Sequence, residues 1–237
     1  MAHINKLHYK ENLKSIKSDV VAKGIFEDDK KHWTITSGQM KGKVGDLAFS
    51  FNEKEKTLFF GLGKKKEATA ENFRRAAGSV VNFVIDKKYG SLAVECPTGG
   101  MEAYNCQAFT EGLILSSYRF LDYFSDERAN YYLKNITMVG TCNKNASKKG
   151  VIIANAVCDS RDLGNHPGNV TTPTRLANFA KEVGKKGNMK ITIFDRDEFT
   201  KMGMGSFAGV ALGTNEPPKF IIMEYFGGSK KDKPVLL

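Results

Sequence analysis

The chain has 237 residues, enough for one large or two modest domains, and its 41% hydrophobic and 11% aromatic content excludes disorder over the whole length. Its formal net charge of +10 comes from 36 Lys and Arg against 26 Asp and Glu. The basic excess is scattered in short pairs with a single triplet, Lys64-Lys65-Lys66, which favours a solvated surface over a dedicated nucleic-acid groove. No apolar run approaches the roughly 20 residues of a membrane-spanning helix, so we expect no membrane association.

The four cysteines show neither a C-x-x-C motif nor zinc-type spacing; they are Cys96, Cys106, Cys142 and Cys158. Because the N-terminus also has no secretory signal pattern, a reducing cytoplasm is the predicted location. Cys106 and Cys158 fall within helical patterns, so we expect them to be small buried side chains.

The first 100 residues predict strands, then a helix, then another strand. Short β-branched or aromatic runs at 19–22, 47–51 and 57–60 predict strands, and Trp33 is predicted to be a packing residue in a connection or edge strand. Thr69 can cap a helix whose apolar residues recur every three or four positions as far as Gly90. Residues 92–94 then predict a strand parallel and adjacent to strand 57–60.

Gly61-Leu62-Gly63 lies between that strand and the helix and superficially suggests a nucleotide-binding turn. The third glycine of G-x-G-x-x-G is absent, because Lys66 occupies its position. A tight strand-to-helix turn is the simpler interpretation, and nucleotide binding stays open as an alternative.

The remaining elements alternate between helices and strands. We predict helices at 102–117, 151–161 and 173–183, strands at 136–139 and 189–194, and a polar connection at 143–150. The helix at 151–161 is apolar on most sides, which predicts a linker helix packed between two domains. Thr172 and Pro173 begin the next helix, Gly184 is predicted to end it, and Asp195 can cap a helix that runs through Phe199.

Several stretches resemble, in the same order, the leucyl aminopeptidase (cytosol aminopeptidase) family, and the resemblance extends from about residue 19 to the last residue. They are Glu111-Gly112-Leu113, Tyr118-Arg119-Phe120, the junction Arg161-Asp162-Leu163 with Asn165, Pro167, Asn169 and Thr172-Pro173, and the segments 204–213 and 217–225.

The resemblance implies an α/β fold in three parts. A macro-domain-like mixed sheet flanked by helices would span residues 1–145, a linker helix 146–165, and the first part of an α/β aminopeptidase domain 166–237. The resemblance also implies the family's activity, which is the release of N-terminal residues, often Leu, from peptide substrates. In the family this hydrolysis uses two divalent ions, zinc or manganese. Family members are usually homohexamers, so a homo-oligomer is expected.

In the family, a strand like residues 233–237 continues into the stretches that carry the metal-holding lysine, aspartates and glutamate and the arginine that assists. This chain stops before them. We therefore expect a truncated chain with no catalytic, substrate-binding or metal-ligating residue of its own, no bound metal and no activity alone. Sequencing the native transcript past the codon for Leu237 tests this expectation.

Other candidate sites are weak. The histidines, His3, His8, His32 and His166, form no H-x-x-x-H or H-E-x-x-H motif, and segment 204–208 lacks the glycines of a G-x-S-x-G nucleophile elbow. The carboxylates of segment 195–198 are explained by helix capping, with metal binding as the less favoured alternative. A second hypothesis treats the chain as a non-catalytic basic module for binding or assembly, with DNA or nucleotides as ligands. Its basis is that some bacterial family members also bind DNA. Nucleic-acid binding is the less favoured of the two hypotheses.

Overall fold

The computed structural model describes residues 3–13, 16–29, 40–51, 55–97, 102–126, 130–229, 231 and 233–237. The chain divides into two compact units, Met1–Asp162 and Leu163–Leu237. Trp33 and His32 lie outside the described residues. No helix in the described ranges has both the length and the apolar character needed to cross a membrane.

The first unit is built on a mixed β-sheet. Its described strands are β1 (His8–Lys10), β2 (Val20–Ile25), β3 (Leu47–Phe51), β4 (Lys56–Gly61), β5 (Ser91–Glu95) and β6 (Asn135–Val139). They are arranged in the order β1-β6-β5-β2-β4-β3, parallel throughout except for β3, which is antiparallel to β4. The continuous apolar runs of β5 and β6 are buried, as expected for central parallel strands covered on both faces.

The expected adjacency of strands 57–60 and 92–94 is wrong. β4 and β5 are parallel, but β2 lies between them, with Ala22 paired to Leu58 on one side and Val94 on the other. An earlier part of the chain therefore occupies the position next to β4, and no local pattern indicates such an insertion. Strand β1 was also not predicted, because its three residues carry no apolar run.

Three helices belong largely to this unit: α1 (Ala70–Asp86), α2 (Ala103–Ser117) and α3 (Lys144–Asn165). Thr69 caps α1 as predicted, its side chain accepting a hydrogen bond from the Asn72 N–H at 3.3 Å. The apolar face of α1 is buried at every predicted position, namely Phe73, Ala76, Ala77, Val80, Val81 and Val84. Helix α2 buries Cys106, Phe109, Leu113 and Ser117 along one stripe.

Helix α3 corrects two expectations. It begins at Lys144, inside the predicted polar connection, because Asn143 accepts hydrogen bonds from the Ala146 and Ser147 N–H groups. It also buries a single narrow stripe of small and polar side chains, Ser147, Gly150, Ala154, Cys158 and Asp162, and leaves Ile152 70% exposed. The prediction that its apolar residues are covered on most sides is therefore wrong, since close packing of Gly150 and Ala154 uses one face only. The predicted domain boundaries stay a prediction.

The second unit contains α4 (Pro173–Gly187), β7 (Lys190–Phe194), α5 (Arg196–Lys201), α6 (Gly205–Val210) and β8 (Phe220–Glu224), with β7 and β8 antiparallel. Thr172 caps α4 and Pro173 begins it, as predicted. The predicted stop at Gly184 is wrong, because α4 continues to Gly187 and ends on Asn188, whose φ of 50° is left-handed. Gly184 instead lies where a Cβ atom would come within 2.3 Å of Ile191, so its small size serves packing.

Candidate functional site

The Gly61-Leu62-Gly63 turn has no backbone donor left for a phosphate. The N–H of Gly61 donates to the Asp46 carbonyl at 3.0 Å, that of Leu62 to Ile25 at 2.9 Å, and that of Gly63 to Gly42 at 2.8 Å. A Cβ atom on Gly61 would lie 1.9 Å from the carbonyl oxygen of Lys43, so close backbone approach accounts for this glycine. The tight-turn interpretation therefore explains the motif, and nothing in it supports the nucleotide alternative.

The carboxylates at the start of α5 serve the helix. Asp195 and Glu198 form a capping box, in which Glu198 accepts the Asp195 N–H at 2.7 Å. Lys219 forms an ion pair with Asp195. Among the described residues, no group of three or more His, Cys, Asp or Glu side chains is arranged to hold a metal ion.

The histidines are dispersed over the described residues. His3 lies with its ring centroid 6.3 Å from that of Tyr118, His8 begins β1, and His166 follows α3. These three histidines join no group of metal-binding side chains, so no histidine-based metal site forms among the described residues.

Glu111 and Gly112 hold α1 against α2. The Glu111 carboxylate is buried and accepts hydrogen bonds from the Arg74 guanidinium at 2.8 and 3.1 Å and from Gln107 at 2.8 Å. A Cβ atom on Gly112 would lie 2.2 Å from the Arg74 carbonyl oxygen, so only glycine permits this helix separation. The Glu-Gly-Leu motif is therefore a helix-packing element.

The Tyr-Arg-Phe and Arg-Asp-Leu motifs contact each other. The Tyr118 hydroxyl donates to Asp162 Oδ1 at 2.8 Å, and the Arg161 guanidinium lies 5.4 Å from the Tyr118 ring centroid. Arg161 also donates to the Leu115 carbonyl at 3.0 Å. Asp162 is 3% exposed, and its Oδ2 has no hydrogen-bond partner among the described residues. This polar cluster joins the end of α2 to the end of α3. No spacing or periodicity in the sequence predicts this contact; the family resemblance is the sequence signal that links the two motifs.

The fold and these motifs define an α/β protein of two parts. The first is a mixed, mostly parallel sheet covered by helices, and the second is an α/β unit that follows Asp162. Residues 33–127 match the cytosol aminopeptidase family, N-terminal domain, and residues 159–237 match the catalytic domain of the same family. The two matches occur in family order and together cover most of the chain. The chain belongs to the cytosol aminopeptidase family, which confirms the resemblance.

A probable cytosol aminopeptidase of Bdellovibrio bacteriovorus is 35% identical over 210 residues, covering 84% of this chain and 42% of the relative. The bottromycin maturation enzyme BotP in complex with Mn has a TM-score of 0.76 and 25% identity, covering 89% of this chain and 46% of that one. A tomato leucine aminopeptidase mutant has a TM-score of 0.76 at 20% identity, covering 95% of this chain and 52% of that one. The chain spans about half the length of these proteins, and the predicted α/β fold class is confirmed.

Proposed function

We propose that this chain is the N-terminal domain and the beginning of the catalytic domain of a metal-dependent cytosolic leucyl aminopeptidase, which releases N-terminal amino acids from peptides. The observation that carries the proposal is the ordered match to both domains of one aminopeptidase family. The reaction belongs to the whole enzyme. The part of the chain described by the structure supplies packing and capping residues rather than a nucleophile paired with a base.

The described residues provide no set of ligands for the family's two divalent ions, manganese or zinc. The carboxylates that cluster, at the start of α5, are engaged in capping and in the ion pair with Lys219. The described cysteines likewise belong to no group of side chains that could hold a metal ion. We therefore assign no ligand to this chain and no catalytic step to its residues.

A chimaera tests the proposal. This chain would replace the corresponding part of the Bdellovibrio bacteriovorus relative, and hydrolysis of leucine anilide would be measured with added Mn²⁺ or Zn²⁺. The 237-residue chain alone is expected to give no turnover, the intact relative serves as the positive control, and the chimaera should show metal-dependent turnover that a chelator abolishes. A chimaera that is folded by circular dichroism but inactive would contradict the proposal, as would turnover by the chain alone.

The proposal extends to a homohexameric assembly and a cytoplasmic location, both taken from the family. Size-exclusion chromatography with light scattering on the chimaera tests the assembly, and a monomer would contradict it. The DNA- or nucleotide-binding alternative is not carried forward, because the described contacts include nothing that favours it over a solvated basic surface.

A further inference from the structure

Three of the four cysteines converge at the carboxyl edge of the sheet in the first unit. Cys96 follows β5 directly, Cys142 follows β6 after two residues, and Cys106 lies in α2. The Cys96 N–H donates to the Val139 carbonyl at 2.8 Å, which ties the end of β5 to the end of β6. The Cys106 thiol donates to the carbonyl of Asn143, the residue after Cys142, at 3.5 Å. Burial and then the neighbouring Cys142 raise the pKa of both the Cys96 and the Cys106 thiols.

Hydroxyl groups and a thioether join β1, β6, α2 and α3 in this part of the unit. Tyr9 and Ser147 share a hydrogen bond of 2.9 Å, and Ser147 shares another of 2.7 Å with Thr110. The Ser147 hydroxyl is also 3.6 Å from the Met138 sulfur.

Accessibility distinguishes the three thiols. Cys96 is 6% exposed and Cys106 is fully buried, whereas Cys142 is partly exposed. A small oxidant therefore reaches Cys142 first, while both of its neighbours are protected from direct attack. Burial raises the pKa of Cys106 to about 11 and raises that of Cys96 further, so both are neutral thiols at physiological pH.

Cys96 is the better placed of the two neighbours to react with an oxidised Cys142. Glu95 and Val139 are register partners at the ends of β5 and β6, so Cys96 and Cys142 leave adjacent parallel strands at the same edge. Cys106 is held within α2, and its thiol already donates to the Asn143 carbonyl at 3.5 Å.

We propose that Cys142 and Cys96 form a reversible peroxide-oxidation site in this domain. Hydrogen peroxide oxidises the Cys142 thiol to a sulfenic acid. The O–O bond of the peroxide breaks, one oxygen is bonded to the Cys142 sulfur, and the other leaves as water. The Cys96 sulfur then attacks the Cys142 sulfur and the S–O bond breaks. The Cys96 proton and the displaced hydroxyl group leave together as a second water as the disulfide forms. The two cysteine sulfurs supply the two electrons that reduce the peroxide, and a dithiol reductant reverses the step. Disulfides of this kind in a reducing compartment are usually transient and redox-sensing.

The test uses the full 237-residue chain, treated with hydrogen peroxide and then denatured and alkylated without reduction. The expected results are a mass loss of about 2 Da, as two thiol protons are lost, a fall from four to two titratable thiols, and a Cys96–Cys142 linked peptide. Dithiothreitol should restore all four thiols.

Matched serine variants separate the possible pairs. Cys142→Ser and Cys96→Ser should each abolish the disulfide, whereas Cys106→Ser and the distant Cys158→Ser should leave it intact, with circular dichroism verifying that each variant is folded. A Cys106–Cys142 linkage, oxidation of Cys142 to sulfinic acid without a linkage, or four unchanged thiols would each overturn the proposal. None of these readouts depends on aminopeptidase activity, so the result is independent of the proposed function.

Discussion

Glu111 shows why a buried charge makes its partner indispensable. The carboxylate is 6% exposed and receives two hydrogen bonds from Arg74, which is also bonded to Glu71 on its own helix. Replacing Arg74 by Leu leaves a buried carboxylate without its counter-charge, and we expect a loss of roughly 3 kcal/mol in the free energy of unfolding. Urea unfolding followed by circular dichroism measures the loss.

Arg75→Leu is the matched control, because Arg75 is the neighbouring residue of α1 and is exposed. We expect its free energy of unfolding to stay within about 0.5 kcal/mol of the parent chain. Equal losses in the two variants would show that the Arg74–Glu111 ion pair does not stabilise the helix contact.

The buried thiol of Cys158 makes the free energy of unfolding fall at alkaline pH. Burial raises the pKa of this thiol from 9.0 to about 11. Between these values the unfolded chain releases the thiol proton while the folded chain retains it, so unfolding is favoured as pH rises. The stabilising contribution is complete below about pH 9 and is lost as pH approaches about 11. Cys158→Ala should therefore flatten the decline of the urea midpoint across that window. A variant whose midpoint shifts equally at every pH would indicate lost packing alone and contradict the assignment.

At the scale of elements, the contact between α1 and α2 depends on Gly112. A Cβ atom there would lie 2.2 Å from the Arg74 carbonyl oxygen and 2.9 Å from the Ala77 Cβ, both on α1. Backbone atoms cannot yield as a flexible side chain does, so Gly112→Ala must separate the helices. We expect a loss of about 2–3 kcal/mol in unfolding free energy, typical of overpacking, measured by urea unfolding.

Gly164→Ala is the control for this prediction. Gly164 is also helical, near the end of α3, and a Cβ atom there meets nothing within 4 Å. Alanine has the higher helix propensity, so we expect no loss, or a gain of up to about 1 kcal/mol. If both glycine variants behaved alike, helix propensity rather than interhelical distance would decide the outcome.

Elements defined by local chemistry were predictable from the sequence, and those that depend on distant contacts were not. Thr69 and the apolar spacing of α1 define that helix within its own residues. Gly184 was misinterpreted as a helix stop because its role depends on Ile191, which approaches it from β7. The insertion of β2 between β4 and β5 likewise involves residues far apart in the chain.

The same limit applies to the candidate sites. Asp195 was correctly assigned to helix capping, because a capping box lies within four residues. The Tyr118–Asp162 hydrogen bond joins residues 44 positions apart, and no periodicity indicates it. The family resemblance was the only sequence signal that connected the two motifs, and it gave their order rather than their contact.

At the scale of the whole molecule, the two units differ sharply in how much apolar surface they bury. The largest core cluster of the described residues lies entirely within Met1–Asp162 and includes Phe60, Phe73 and Phe109. In the second unit, the buried apolar side chains among the described residues are Ala177, Ala180, Phe199 and Pro218. Large side chains remain exposed there, including Val210 at 89%, Leu212 at 76% and Phe226 at 76%.

We therefore expect the first unit to fold independently and the second unit not to do so. A domain of fewer than roughly 80 residues needs a well-filled core to offset the conformational entropy of folding. A core of one phenylalanine, two alanines and one proline is too small. A fragment of residues 1–165, which ends with α3, should melt cooperatively at the temperature of the main transition of the full chain. A fragment of residues 166–237 should show no cooperative transition by circular dichroism.

Limited proteolysis of the full chain tests the same expectation without truncation. Trypsin should cleave the second unit first, at sites such as Lys185 and Lys201, and leave a resistant product that contains the first unit, identified by mass spectrometry. Cleavage follows local opening, which requires less free energy where few apolar groups are buried. The wide difference in apolar burial predicts that the resistant product accumulates before the first unit is cut. Simultaneous loss of both units, or a resistant product from residues 166–237, would show that burial within each unit does not determine its stability.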